Sequence, residues 1–246
     1  MNKKPKVVAI IQARMGSTRL PGKVMKKILG RTVLELVVER VKKAAKIDEI
    51  VIATTTGKND DKIEDLCRKL NLNVFRGSEE DVLRRYYESA KEYKADVIVR
   101  ITSDCPLIDP DIIDKIIDFY FEKQPLDYVS NGLERTFPRG LDVEVFSFGA
   151  LELANESAKK NREHVTPYMY KDDKNMKTAN FANKTDLSEY RLTVDYEEDF
   201  LLINEIYKEL GKSDRVFGLD KIIELLKKRP DLVEINKGKE QKGIEE

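Results

Sequence analysis

This chain of 246 residues has no tryptophan, a single histidine, two cysteines and no net charge, with 45 basic against 45 acidic side chains. Each shortage excludes something. Without a basic surplus nothing argues for gripping a nucleic-acid backbone regardless of sequence, so any anion site must be local. Cys67 and Cys105 are too few for a disulfide framework and lack metal-site spacing, which fits a reducing, cytoplasmic setting. His164 has no second histidine or nearby cysteine with which to hold a transition metal. Long apolar runs are missing too. The stretch VVAII (7 to 11) gives way to Gln12, too short for a signal peptide or a membrane span. The expectation is a cytoplasmic protein with no membrane and no nucleic-acid partner.

What is present is charge and alternation. Charged side chains make up 37% of the chain, mostly Lys and Glu, as in heat-adapted proteins. The hydrophobic 41% is enough for a sizeable core. KVVAIIQA (6 to 13) suits a strand buried on both faces. Thr32 and Glu35 form a capping-box pattern ahead of an amphipathic helix. IDEIVIATT, NVFRG and ADVIVRITSD follow as strands, with helical patterns between them. Ser78 and Asp81 mark one helix start, and Asp109 with Pro110 another. Four rounds of strand and helix predict an α/β fold: a Rossmann-like, mostly parallel sheet with helices on both faces. DYVSNG, LDVEVFS, MKTANF and YRLTVDY read as further strands in a less regular second half. No Pro-, Gly- or Ser-rich linker splits the chain. One domain is expected over 1–235, its middle stretch covering the ligand edge of the sheet, with a flexible tail at 236–246.

In such sheets ligands sit at the carboxyl ends of the strands. The first loop, FRGSEED and RITSDCPL all fall there. The first loop, ARMGSTRLPGK, is not a P-loop: five residues separate Gly16 from Gly22 where four are required, and Val24 follows Lys23 where Ser or Thr would hold magnesium. Nor is there a Gly-x-Gly-x-x-Gly dinucleotide fingerprint. Anion chemistry remains. Gly16 lets a backbone approach a ligand, successive amides can form a nest, Arg14, Arg19 and Lys23 supply charge, and Pro21 stiffens the turn. A solvated basic loop is the blander alternative.

IIQARMGSTRLPGK resembles the signature loop of the CMP-sugar synthetase type of nucleotidyltransferases, most of all the spore coat polysaccharide biosynthesis F-type cytidylyltransferases. RITSDCPLI, FPRGLDVEVFS, REHVTPYMY and RLTVDYEEDF match that branch in the same order, so the resemblance covers nearly the whole chain. It implies the nucleotide-diphospho-sugar transferase type of fold, and CTP, Mg2+ and a sugar-like acceptor, with release of pyrophosphate. It implies that Arg14 and Lys23 contact phosphates, that Gly16, Ser17 and Arg19 shape the cradle, and that Gln12 and Ala13 lie at base and ribose. It makes Asp104 and Asp195 the metal carboxylates, and Arg14, Lys23 and Asp104 the catalytic set. Helix capping is the simpler role for either aspartate, and Glu197, Glu198 and Asp199 are alternatives to Asp195.

Arg76, Arg100 and Ser103 are further candidates for the nucleotide pocket, with a surface ion pair to Glu79 or Asp81 the alternative for Arg76. Arg139, Asp142, Glu144 and His164 are candidates for the acceptor side. Alternation in LDVEV puts Asp142 and Glu144 on one face, which suits a pocket wall or an exposed strand. Cys105 has no base partner and reads as a small buried residue. Synthetases for sialic acids and Kdo differ around the second aspartate and the sugar pocket, so a nonulosonic acid, another sugar acid and a phosphorylated polyol all stay open as acceptor. Use of another nucleoside triphosphate with a sugar phosphate, or CTP binding without catalysis, are the rival readings. Related enzymes are often dimers, so a homodimer is a further expectation.

Overall fold

The structure is a computed structural model and describes residues 4–172, 175–212 and 216–239. The first apolar run forms β1 (Val7–Gln12). After the basic loop come a small hairpin of β2 (Lys27–Ile28) and β3 (Arg31–Thr32), then α1 (Val33–Val41), whose start carries the expected capping box of Thr32 and Glu35. Then follow β4 (Glu49–Thr55), α2 (Asp61–Lys69), β5 (Asn73–Gly77), α3 (Val82–Glu92), β6 (Val97–Thr102) and α4 (Pro110–Glu122). Asp81 and Asp109 cap α3 and α4, each accepting a backbone N–H from the first turn. The second half adds β7 (Tyr128–Ser130), β8 (Glu144–Ser147), α5 (Phe148–Ser157), β9 (Thr178–Asn180), α6 (Glu197–Leu210), α7 (Leu219–Lys228) and α8 (Pro230–Glu234).

Seven strands form one sheet in the order β5-β4-β1-β6-β8-β7-β9. All pairings are parallel except those of β8 with β6 and β7, so β8 alone runs backwards. Alternation along β1 divides the core. Val7, Ala9 and Ile11 pack with α1, α4, α6 and α7 on one face, while Val8 and Ile10 pack with α3 and α5 on the other. Helices therefore cover both faces, as the strand–helix alternation predicts. No helix among the described residues is long and apolar enough to cross a membrane.

The four predicted strands of the second half are shortened: DYVSNG and MKTANF keep only the three residues of β7 and of β9, and the other two change for reasons visible in their hydrogen bonds. In YRLTVDY only an isolated bridge pairs Arg139 with Arg191. The backbone there changes partner within three residues: the Leu192 N–H donates to the Arg139 carbonyl, whereas that of Val194 donates to Asp104, so no ladder can extend. In LDVEVFS the first three residues stay outside the sheet because the Asn131 side chain, buried, bonds both the Leu141 carbonyl and the Val143 N–H. Asn236, inside the segment expected to be a free tail, is buried and bonds the Arg191 carbonyl and the Asp199 carboxylate at 3.0 and 2.8 Å. A side-chain amide satisfied on both counts holds that stretch to the body. Residues 240–246 of the expected tail lie outside the described residues.

Candidate active site

The carboxyl ends of β1, β6 and β7 and the start of β8 open onto a cleft of about 1310 Å³. Gln12, Ala13, Arg14, Ser17, Arg19, Lys23, Arg100, Ser103, Asp104, Arg139, Asp142, Glu144, His164 and Asp195 all line it. Most of the sequence candidates, drawn from segments up to 183 positions apart (Gln12 to Asp195), thus share one cavity.

The first loop leaves β1 and is pinned from below. The buried Asp60 carboxylate accepts the Met15 N–H at 2.7 Å and the Thr55 hydroxyl. Gly22 and Ser17 donate their N–H groups to the Met15 carbonyl, and Gly22 adopts φ +67°, where a side chain would be strained. That turn delivers Lys23 at the start of a one-turn 3-10 helix, Lys23–Met25. Its ammonium lies 2.7 Å from Asp104 Oδ2 and 2.8 Å from Asp195 Oδ1. Arg19 reaches the same Asp195 oxygen at 2.8 Å, and Arg14 stands 3.6 Å from Glu79. Burial alone would raise the Asp104 carboxyl, but the Lys23 ammonium beside it and hydrogen bonds bring it down to about 2. Burial likewise works against the Lys23 charge, and the two carboxylates overcome it, so its pKa is raised.

Asp195 is itself supported. Arg191 donates to Asp195 Oδ2 at 3.3 Å and to both oxygens of Asp199. Asp199 is fully buried and also receives the N–H groups of Asp195 and Tyr196 at the start of α6. Thr193 and Val194 donate to the Asp104 carbonyl, which fixes the two acidic segments side by side.

Strand alternation places Gln12, Arg100, Tyr128 and Glu144 on the α3 face at the cleft floor. The Glu144 carboxylate accepts from Arg100, from the Tyr128 hydroxyl at 2.6 Å and from Thr166 at 2.7 Å. Arg100 also reaches Gln12 Oε1 at 3.1 Å. Burial depresses the Arg100 charge, but Glu144 more than restores it and the pKa is raised. Glu144 is thus a cleft-floor counter-ion to Arg100, and Asp142 faces Arg135 instead, at 2.6 Å. Arg139 has its pKa lowered by partial burial and by the neighbouring Arg135.

Two sequence candidates stand apart. Arg76 does not line the cleft: its guanidinium pairs with Asp61 and Glu64 at 2.7 and 2.6 Å and bonds the Thr55 and Gly57 carbonyls. These four acceptors occupy most of its N–H groups, and they are not Glu79 and Asp81. Gly16 is not among the lining residues either, although a Cβ there would stand only 3.3 Å from Glu79 Oε1. Conversely, Tyr128, Ser130, Arg135, Tyr170 and Lys171 line the cleft without having been singled out. Tyr128 and Ser130 fall in DYVSNG, read only as a strand, and Tyr170 ends REHVTPYMY, whereas Arg135 and Lys171 lie just outside the marked stretches. Gly140, at φ +98°, packs so tightly that a Cβ would overlap the Leu192 carbonyl.

Comparison with known proteins completes the description. A family model described as cytidylyltransferase matches residues 8–241. The spore coat polysaccharide biosynthesis protein SpsF of Bacillus subtilis is 35% identical over 236 residues, spanning 92% of this chain and 95% of that protein. A cytidylyltransferase structure from Leptospira borgpetersenii serovar Hardjo-bovis is similar at a TM-score of 0.90 and 36% identity, spanning 98% of this chain and 100% of that one. A structure of CMP:2-keto-3-deoxy-manno-octonic acid synthetase complexed with CTP shares the fold, with a TM-score of 0.65 at 17% identity over 83% of this chain and 99% of that one.

Proposed function

Because the chain belongs to the cytidylyltransferase family of nucleotidyltransferases, we propose that it transfers CMP from CTP to a sugar acid or related small acceptor, releasing pyrophosphate, in surface polysaccharide biosynthesis. The observation that carries this reading is the triad of Lys23, Asp104 and Asp195, in which the ammonium of the loop that also bears Arg14 and Arg19 lies within 2.8 Å of both carboxylates. A polyphosphate needs cations at fixed places, and an attack at phosphorus needs charge offset on the leaving oxygens.

In the reaction, an acceptor oxygen bonds to the α-phosphorus as the bond to the β-phosphate oxygen breaks. The electron pair leaves on pyrophosphate. A carboxylate or phosphate acceptor has no proton to lose, and a hydroxyl acceptor gives its proton to water or to a cleft carboxylate. Arg14, Arg19 and Lys23 bind the triphosphate and offset the charge that builds on the departing oxygens. Gln12, Ala13, Ser17, Arg100 and Ser103 border the space left for the nucleoside. Gly16 serves the loop by letting it pass close to Glu79.

The donor set suits Mg2+. Asp104 and Asp195 offer hard carboxylate oxygens to one shared cation position, now taken by the Lys23 ammonium, and Mg2+ uses one or two carboxylates with phosphate oxygens and water. When bound, the ion would lower the charge on the phosphates and hold them against these two aspartates.

The far wall favours an anionic acceptor. Arg135 has a buried Nη1 without a hydrogen-bond partner, and Arg139 and His164 lie on the same cavity. The likeness to a spore coat polysaccharide biosynthesis protein of Bacillus supports the polysaccharide role. The test is pyrophosphate release with Mg2+, each of the four ribonucleoside triphosphates and dTTP against a panel of sugar acids and sugar phosphates. Release with CTP and a sugar acid is expected. Release with another triphosphate alone, or CTP binding without release for every acceptor, would overturn it.

A further inference from the structure

The cation position between Asp104 and Asp195 is already filled by the protein itself. Lys23 Nζ touches both carboxylates, and Arg19 Nη2 and Arg191 Nη2 engage the two oxygens of Asp195 at 2.8 and 3.3 Å. With Asp199 included, three carboxylates face three cationic side chains, so the cluster is neutral without any ion. Asp195 has no oxygen left without a cationic neighbour. A divalent ion arriving alone meets like charge at the place it must occupy, in a poorly hydrated site where such repulsion is strong.

Lys23 is also built to leave. Its backbone is tied by hydrogen bonds to the Leu20 carbonyl and from the Lys26 N–H, while the four-carbon side chain keeps its rotamers. Arg14, Ser17, Arg19 and Lys23 line the same cavity, so a triphosphate seated in this loop offers the ammonium a new anion close by.

We propose that Lys23 is the resident cation of the Asp104–Asp195 pair, closing it to divalent ions until a triphosphate draws the ammonium away. The inference rests on the carboxylate pair and phosphate loop of the proposed function. It sets an order: the nucleotide binds without metal, and the metal binds tightly only once the nucleotide is seated. Linkage requires that CTP raise metal affinity and metal raise CTP affinity by one common factor.

The test uses the full chain and Mn2+, followed by the electron paramagnetic resonance signal of the free ion. Without nucleotide, wild type should bind Mn2+ at least ten times more weakly than Lys23→Met, and adding Asp104→Asn to Lys23→Met should abolish the gain. Equal Mn2+ affinity in wild type and Lys23→Met overturns the proposal. Should Lys23→Met not fold, wild type decides alone. CTP should bind in EDTA, while Mn2+ without CTP should bind at least ten times more weakly than with it. If CTP binds only with metal, the order is wrong and the cytidylyltransferase reading stands. If CTP binds under neither condition, both fall.

Discussion

Arg191 and Asp199 form a buried bidentate pair, Nε to Oδ1 at 2.9 Å and Nη2 to Oδ2 at 3.0 Å, behind the carboxylate of Asp195. The same Asp199 caps the backbone of Asp195 and Tyr196 and accepts from Asn236. Removing one partner of such a pair strands the other charge in the interior. Asp199→Asn should therefore cost about 3–5 kcal/mol in urea unfolding. A loss under 1 kcal/mol would mean that water replaces the pair.

Lys23→Ala and Asp104→Asn should each lower turnover by roughly 10²-fold or more, the usual cost of removing a charge partner of the transition state. Pyrophosphate release at saturating CTP measures this, with circular dichroism as the folding control. Near-wild-type turnover in either variant would remove that residue from the catalytic set.

Arg76→Ala should leave turnover and CTP affinity within about twofold, because neither Arg76 nor its partners Asp61 and Glu64 line the cleft. As these ion pairs are partly exposed, stability should change by about 0–1 kcal/mol. A tenfold rise in KM for CTP would place Arg76 back in the nucleotide pocket.

Acid should act through Asp104. Its carboxyl is held at about 2, below the ordinary 3.8, so the unfolded chain takes up the proton first as pH falls. The stabilisation is fully present above about pH 4, declines below it and is gone once pH passes below 2. Comparing urea midpoints of wild type and Asp104→Asn from pH 6 to pH 2 should show a difference that is flat and then closes. A difference that persists at pH 2 would assign the stabilisation to packing.

Both thiols should be silent. Burial pushes Cys67 up to about 12 and Cys105 well above its ordinary value, leaving almost no thiolate near neutrality. A chromogenic disulfide reagent at pH 8 should label neither cysteine in the native protein and both after urea. Fast native labelling of Cys105 would show an opening of the cleft floor.

The fold was legible because its first half obeys simple periodicities: continuous apolar strands, amphipathic helices, and caps at Thr32, Asp81 and Asp109. The cleft candidates were legible where chemistry is written locally, as in the loop bearing Arg14, Arg19 and Lys23. Three kinds of information were not local. Arg76 looked like a pocket residue because β5 ends there, but its partners sit on α2. YRLTVDY has the alternation of a strand, yet Arg139 and Asp104 divide its hydrogen bonds. Asp60 and Asn236 act by accepting or donating to backbone and side chains far away in sequence, and composition carries no trace of such pairings.

Gly140 gives the cleft a fixed gauge. Its missing side chain lets the segment bearing Arg139 and Asp142 lie directly on Leu192, three residues from Asp195. The proposed acceptor wall and the acidic edge consequently pack together as one jaw. Exchanging the 135–142 loop for a relative's loop would shift both together, so changing acceptor preference calls for side-chain substitutions on this jaw and not for transplanting it.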